Sequence, residues 1–392
     1  MPCSATTDHI AVRRRADLVV SLQRQHGESV YVLKDPLSLR YFRLEEHEYA
    51  MFQMLDGRAT VSQIVTRLGH AFPQLLIGAE EVCAFVASLY QHALVLGQRA
   101  DQGAQLKQRS DRNRGQRRRQ LLRNVLAIRC PGVDPTRLLN LLYPCTSWFF
   151  TGKSLLLVAL LAIAALCVLA MRAAELTGEL VAMHYYFGPG SWLLLALTLA
   201  TTKVLHELGH ALACRRFGGE CHEIGVMLLV LTPCLYCDVS DSWLLPNRWH
   251  RAAVAAAGMY VEVALASLAT LLWAHTEAGA VHFLALQVML ICSVSTLLFN
   301  GNPLARYDGY YILADLADVP NLREQARAAL ASVLWQALLG VPPEEPREPR
   351  SWKLVLFGCG TAAYRWVLLS CILWFLYQLL SANGLEVLWH AL

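Results

Sequence analysis

Two kinds of apolar pattern divide this chain. Up to about residue 98, apolar residues fall in short alternating runs and in stripes of helical period; after residue 147 they form blocks about 20 residues long. Residues 29–33 and 38–44 alternate on either side of Lys34-Asp35-Pro36 and predict a β-hairpin. Residues 45–55 then predict an amphipathic helix stopped by Asp56-Gly57, and two more helices are expected at 61–71 and 79–92. The last of these leads into 93–96 as a final strand. Helices closed by a strand predict a small α+β domain of winged-helix arrangement over residues 1–100.

Five later blocks, 154–171, 191–214, 252–274, 281–300 and 354–380, each approach the length a helix needs to cross about 30 Å of hydrocarbon. The fold class expected is therefore mainly α: a polytopic membrane helix bundle of about five spans carrying the N-terminal domain. The membrane portion is expected over 147–392, joined by a basic juxtamembrane linker, 101–146. An amphipathic helix is expected at 321–339, lying on the inner membrane surface and followed by a Pro/Glu-rich stretch, 341–350.

Composition supports this division. Apolar residues make up 55% of the chain and charged residues 16%, below the roughly 25% usual in soluble domains. Nine basic residues between Lys107 and Arg129 precede the apolar half and read as a cytoplasmic flank drawn to anionic lipid. The first sixty residues carry charges throughout and no apolar core of a secretory signal. Basic residues also crowd the loops on one side of the five blocks, so the expectation is a multi-pass cell-membrane protein with a cytoplasmic N-terminus. Twelve cysteines without a spaced framework predict no structural disulfide. Residues 1–100 carry ten basic and ten acidic groups, a balance that argues against phosphate binding and hence against a nucleic-acid partner.

The second block contains His206-Glu207-Leu208-Gly209-His210, the HExxH pattern. Residues i and i+4 share a helix face, so both imidazoles can reach one metal ion, and Glu207 stands beside a metal-activated water. Zinc would bring the pKa of such a water to about 7 while Glu207 takes its proton and hands it to the leaving amine. Ionisable groups at membrane depth usually have a partner and a task, which favours a metal site over simple packing. A catalytic zinc usually has three protein ligands, and Asp308 is the candidate third. It ends the run Asn300-Gly301-Asn302-Pro303-Leu304-Ala305-Arg306-Tyr307-Asp308-Gly309, where Pro and Gly break a helix beside a carboxylate.

These two motifs together resemble the site-2 proteases, intramembrane zinc metalloproteases. HExxH stands at His206–His210, continued by Ala211, and Asn-x-x-Pro-x-x-x-x-Asp-Gly is met by Asn300, Pro303, Asp308 and Gly309. The resemblance covers roughly residues 190–315. It implies one Zn²⁺ per chain on His206, His210 and Asp308, with Glu207 catalytic, and a cleft for a locally unwound peptide or membrane-protein substrate. Where that family often has Ala-Gly-Pro, this chain has Ala257-Gly258-Met259 and then Glu262. Glu262 is open to three readings: orienting a ligand histidine, pairing with an arginine such as Arg365, or facing a wet cavity.

Residues 221–243 predict a re-entrant hairpin whose edge can hold an extended peptide. Cys234-x-x-Cys237 within it reads either as packing or as a second metal or redox site. The N-terminal domain more loosely resembles the PqqD-like peptide chaperones, through Tyr41-Phe42-Arg43-Leu44 and Asp56-Gly57 at its helix boundaries. That resemblance implies a leader-bearing peptide substrate and partners in peptide-modification or export machinery. The rival function is a non-proteolytic membrane assembly or export component with a structural zinc site.

Overall fold

The computed structural model describes residues 10, 12–25, 27–97, 127–182, 189–229, 232–340 and 352–382. The basic residues between Lys107 and Arg123, and the stretch 341–350, lie outside them. The chain divides into two compact units: residues 1–157 with 203–254, and 158–202 with 255–392.

The first unit opens with the expected hairpin, three helices and last strand, preceded by two strands that were not expected. Strands β1 (Val12–Arg14), β2 (Val19–Gln25), β3 (Glu28–Asp35) and β4 (Arg40–Glu45) precede helices α1 (Glu46–Met54), α2 (Val61–Ala71) and α3 (Ala79–Gln91) and strand β5 (Val95–Gly97). The hairpin is β3–β4, paired from Val30–Glu45 to Asp35–Arg40, and the sequence missed β2, which pairs with β3 on its other side. β1 pairs with β5, so the domain carries a two-stranded and a three-stranded sheet. Reciprocal side-chain caps start α1 (Glu45 with Glu48) and α2 (Thr60 with Gln63). Ahead of α2, the Asp56 carboxylate accepts the backbone N–H groups of Arg58 (2.8 Å) and Ala59 (2.9 Å). Those two bonds hold Asp56 below the ordinary carboxylate range. Leu33, Phe52, Ile64, Leu68, Val82 and Val86 meet in the core. Cys83, on α3, is disulfide-bonded, against the expectation of none; nothing in its spacing marked it.

The same unit holds α4 (Thr136–Thr146) and a sheet of order β6-β7-β8: Ala127–Arg129, Ile224–Leu229 and Thr232–Cys237. β7 and β8 form the expected hairpin, and β6, from within the expected linker, adds a strand to it.

The second unit is helical. It draws on α5 (Gly152–Met171), α6 (Ala173–Ala182), α7 (Pro189–Arg216), α8 (Arg248–His275), α9 (Ala280–Val294), α10 (Asp308–Ala317), α11 (Leu322–Leu339) and α12 (Trp352–Ala382). Trp273, Leu286 and Met289 centre a core joined by Val168, Leu169 and Leu176. Among the described residues, four helical stretches are long and apolar enough to cross a membrane: Gly152–Met171, Arg248–His275, Ala280–Asn300 and Trp352–Phe375. Many of their apolar side chains face outward, among them Leu155 (61% exposed), Leu166 (64%) and Trp374 (65%), as expected of surfaces solvated by lipid. These features are consistent with a membrane protein.

Among the described residues, four such stretches stand where five spans were expected. The helix that drops out is α7, which is 28 residues long but whose C-terminal half carries Lys203, His206, Glu207, His210, Arg215 and Arg216. The groups that make α7 chemically interesting are the ones that lower its hydropathy.

Candidate metal centre

Helix α7 carries the HExxH residues in its second half, within the first unit. His206 and His210 are 4% and 6% exposed, one turn apart, with ring centroids 4.8 Å apart and planes at 78°. Their Nε2 atoms approach to 3.1 Å. On the other side of the His210 ring, Nδ1 lies 2.8 Å from the Val254 carbonyl. A carbonyl only accepts, so Nδ1 carries the proton and Nε2 keeps its lone pair, the tautomer a metal ligand needs.

The fit to zinc can be tested on this pair. Two nitrogens bound about 2.0–2.1 Å from one tetrahedral zinc stand about 3.3 Å apart. The observed 3.1 Å is close to that spacing, and Glu207, half-buried, follows His206 directly. The histidine pair therefore suits a single zinc ion.

Packing behind the pair fixes it. Ala211, Ala213 and Cys214 are fully buried, and Ala211 and Leu212 pack with Leu139 of α4 and Cys221, flanked by Ile224 and Cys237 of the hairpin. The helix ends where Gly218 takes φ +94°, a left-handed conformation that a side chain would resist. The Gly218 and Gly219 N–H groups close the last turn on Arg215 and Cys214 carbonyls. Asp308, the third sequence candidate, belongs to the second unit and is the first residue of α10. The break expected before it is present: α9 loosens into a wide turn, Ser295–Asn300, and the chain turns through 301–307.

The other candidates fare differently. Cys234 and Cys237 lie three positions apart on β8, so their side chains leave opposite faces of the strand. The neighbour of Cys237 is Cys221, with sulfurs 3.3 Å apart. Glu262, 1% exposed, accepts hydrogen bonds from Ser295 (3.1 Å), Thr296 (2.6 Å) and Asn300 (3.1 Å).

One cluster was missed altogether. Glu220, His222 and Asp241 could together hold a metal ion, yet the Lys34 ammonium reaches in from β3. It lies 2.7 and 2.9 Å from the two Asp241 oxygens and 3.2 Å from His222 Nε2. Tyr41 donates to the same carboxylate. Burial works to raise the Asp241 pKa, but the bonds from Lys34, Tyr41 and His222 bring it below the ordinary carboxylate range. Nearby, Ser21 and Gln23 of β2 donate to the Leu244 and Trp243 carbonyls. The N-terminal sheet is thus bonded to the segment that follows the β7–β8 hairpin. A buried lysine in one strand and an aspartate 207 positions later would have signalled this only through their unusual burial.

No protein-family model matches this chain, and no solved structure does. It is similar to the Bacillus subtilis (strain 168) protein described as "Putative peptide zinc metalloprotease protein YydH", with 27% identity over 129 residues. The match covers 33% of this chain and spans about half, 49%, of that relative. The likeness is thus partial, to a protein whose printed description is that of a zinc metalloprotease.

Proposed function

We propose that the chain is an intramembrane zinc metalloendopeptidase of site-2 protease type, cleaving a membrane-associated or leader-bearing peptide. The observation that carries this reading is the His206–His210 pair, with two Nε2 atoms 3.1 Å apart on a helix that also presents Glu207. In this reading Asp308 completes a three-ligand set holding one Zn²⁺ per chain. Bound zinc supplies Lewis acidity, which polarises a carbonyl and makes water nucleophilic near neutral pH. Glu207 takes the proton from the attacking water and delivers it to the leaving amine. The Val254 carbonyl keeps His210 in its ligating tautomer. The four apolar helical stretches support placement in the cell membrane. In this reading the basic loops keep the N-terminal domain cytoplasmic, where it contacts the substrate peptide or its modification or export machinery.

Metal analysis of the detergent-purified chain tests this without a substrate. The expected result is about one zinc per chain, lost in His206→Ala and Asp308→Ala and retained in Glu207→Gln. Cleavage should fall about 10²-fold or more in Glu207→Gln, the upper range for one general acid–base group lying higher still. A folded wild type without zinc refutes the reading. Zinc retention together with full cellular function in Glu207→Gln would favour the export-component rival.

A further inference from the structure

Asp308 sits at the start of a helix that follows a broken stretch of backbone, so something must set its height and rotation. Three links in the second unit supply a chain of control. The Glu262 side chain, buried in α8, receives Ser295, Thr296 and Asn300 from the turn that ends α9. The Asn300 amide also donates to the Ser295 hydroxyl at 3.3 Å, so the turn is cross-tied to itself as well as to α8. Its final peptide is tied a second time, where the Gly301 N–H meets the Thr296 carbonyl at 2.7 Å.

The second link is Gly309, which follows Asp308 directly. A β-carbon added there would lie 2.6 Å from the Gly301 oxygen, closer than real β-carbons come, and 3.0 Å from the Asn300 oxygen. Gly309 is therefore pressed against the Asn300–Gly301 backbone, which is the backbone Glu262 holds. The third link is α10 itself, whose first turn begins with Asp308 and buries Gly309 and Tyr310. Any shift of the 295–301 turn moves the surface on which Gly309 rests, and Asp308 moves with it.

We propose that Glu262 is a positioning residue for Asp308, acting through the Asn300–Gly301 peptide. It grips the turn from α8, and the turn sets where the carboxylate at the head of α10 stands. This proposal rests on the zinc-ligand role given above to Asp308. Glu262→Gln keeps shape and volume but places an NH₂ where one carboxylate oxygen accepted. In Glu262→Gln/Asn300→Asp the polarity is exchanged, with the amide on α8 and the carboxylate on the turn, so the pair can bond again.

The test uses the full chain in detergent and measures zinc affinity by chelator competition, the visible spectrum with cobalt in place of zinc, and thermal unfolding. Glu262→Gln should bind zinc about ten-fold more weakly and change the cobalt bands, while the unfolding temperature falls by only a few degrees, on the order of the loss of one hydrogen bond. The exchanged pair should recover most of the affinity and the wild-type bands. The inference is overturned if Glu262→Gln matches wild type in affinity and spectrum, or if the exchanged pair recovers neither. Zinc that is lost in His206→Ala but kept unchanged in Asp308→Ala would also overturn it, by removing the ligand role while sparing the histidine site. A zinc-free wild type would defeat the metalloprotease reading and this inference with it.

Discussion

Asp241 and Glu262 are both carboxylates shut away from water, at 4% and 1% exposure, and the two regions around them satisfy the same need differently. Asp241, in the first unit, is gripped by the ammonium of Lys34 and by Tyr41, donors that arrive from the N-terminal sheet. Glu262, in the second unit, takes hydroxyl and amide donors from a turn on the neighbouring helix. The first arrangement joins parts of the chain about 200 residues apart and depends on a formal charge pair. The second shapes a single stretch of irregular backbone with directional bonds. Charge pairing ties elements together strongly but tolerates loss of a partner badly; hydroxyl and amide bonds divide the load among several groups.

The difference makes an ordered set of predictions, of which the loss of Lys34 is the largest. Lys34→Met should strip Asp241 of its cation and leave a buried charge uncompensated, at a cost of about 3–5 kcal/mol. Unfolding of the detergent-solubilised chain should show it. Adding Asp241→Asn should return much of that stability, because the charge leaves together with its partner. If the double variant is as unstable as the single one, Lys34 contributes by packing and the contrast with Glu262 fails.

Such pairs also mark where sequence reading stops. The elements that face one core were legible: the β3–β4 hairpin, α1 to α3, the β7–β8 hairpin and the long apolar helices follow patterns of period 2, 3.6 or continuous burial. The HExxH pair was legible because its spacing alone defines a helix face. Strand β2 was not, since its inward residue is Gln23, whose amide meets the Trp243 and Leu245 carbonyls, so a polar position is buried where the pattern calls for an apolar one. Helix α7 misled in the opposite sense: its long apolar run suggested a fifth span, and the charged and histidine residues of its second half keep it out of the four found among the described residues. Glu262 was visible as an anomaly, but its donors lie 33 to 38 positions away, and no local pattern names them.

A smaller effect is expected on the Glu262 side. Thr296→Val removes the 2.6 Å bond but leaves Ser295 and Asn300 in place, so the carboxylate keeps donors and stability should fall by about 1–2 kcal/mol. Thermal unfolding beside Lys34→Met gives the comparison directly. A loss as large as that of Lys34→Met would mean that Glu262 depends on one donor as Asp241 depends on one cation.

The smallest effect separates the regions by pH. Asp241 has a folded pKa below its unfolded value, so its contribution is complete above the unfolded carboxylate pKa of about 3.9 and is lost as pH falls through the folded value. Tyr41 moves the other way: burial first, then its bond to Asp241, raises its pKa. Its contribution is complete below the unfolded phenol value of about 10 and declines as pH rises towards the higher folded one. Tyr41→Phe deletes that titration together with one hydrogen bond, leaving Lys34 on the carboxylate. It should lower stability by about 1 kcal/mol between pH 5 and 9, and the deficit should shrink above pH 10, where wild type begins to lose the advantage that Phe never had. Unfolding free energies of the two proteins across pH 5–11 measure this. Curves that stay parallel above pH 10 would show that Tyr41 does not act through its proton on Asp241.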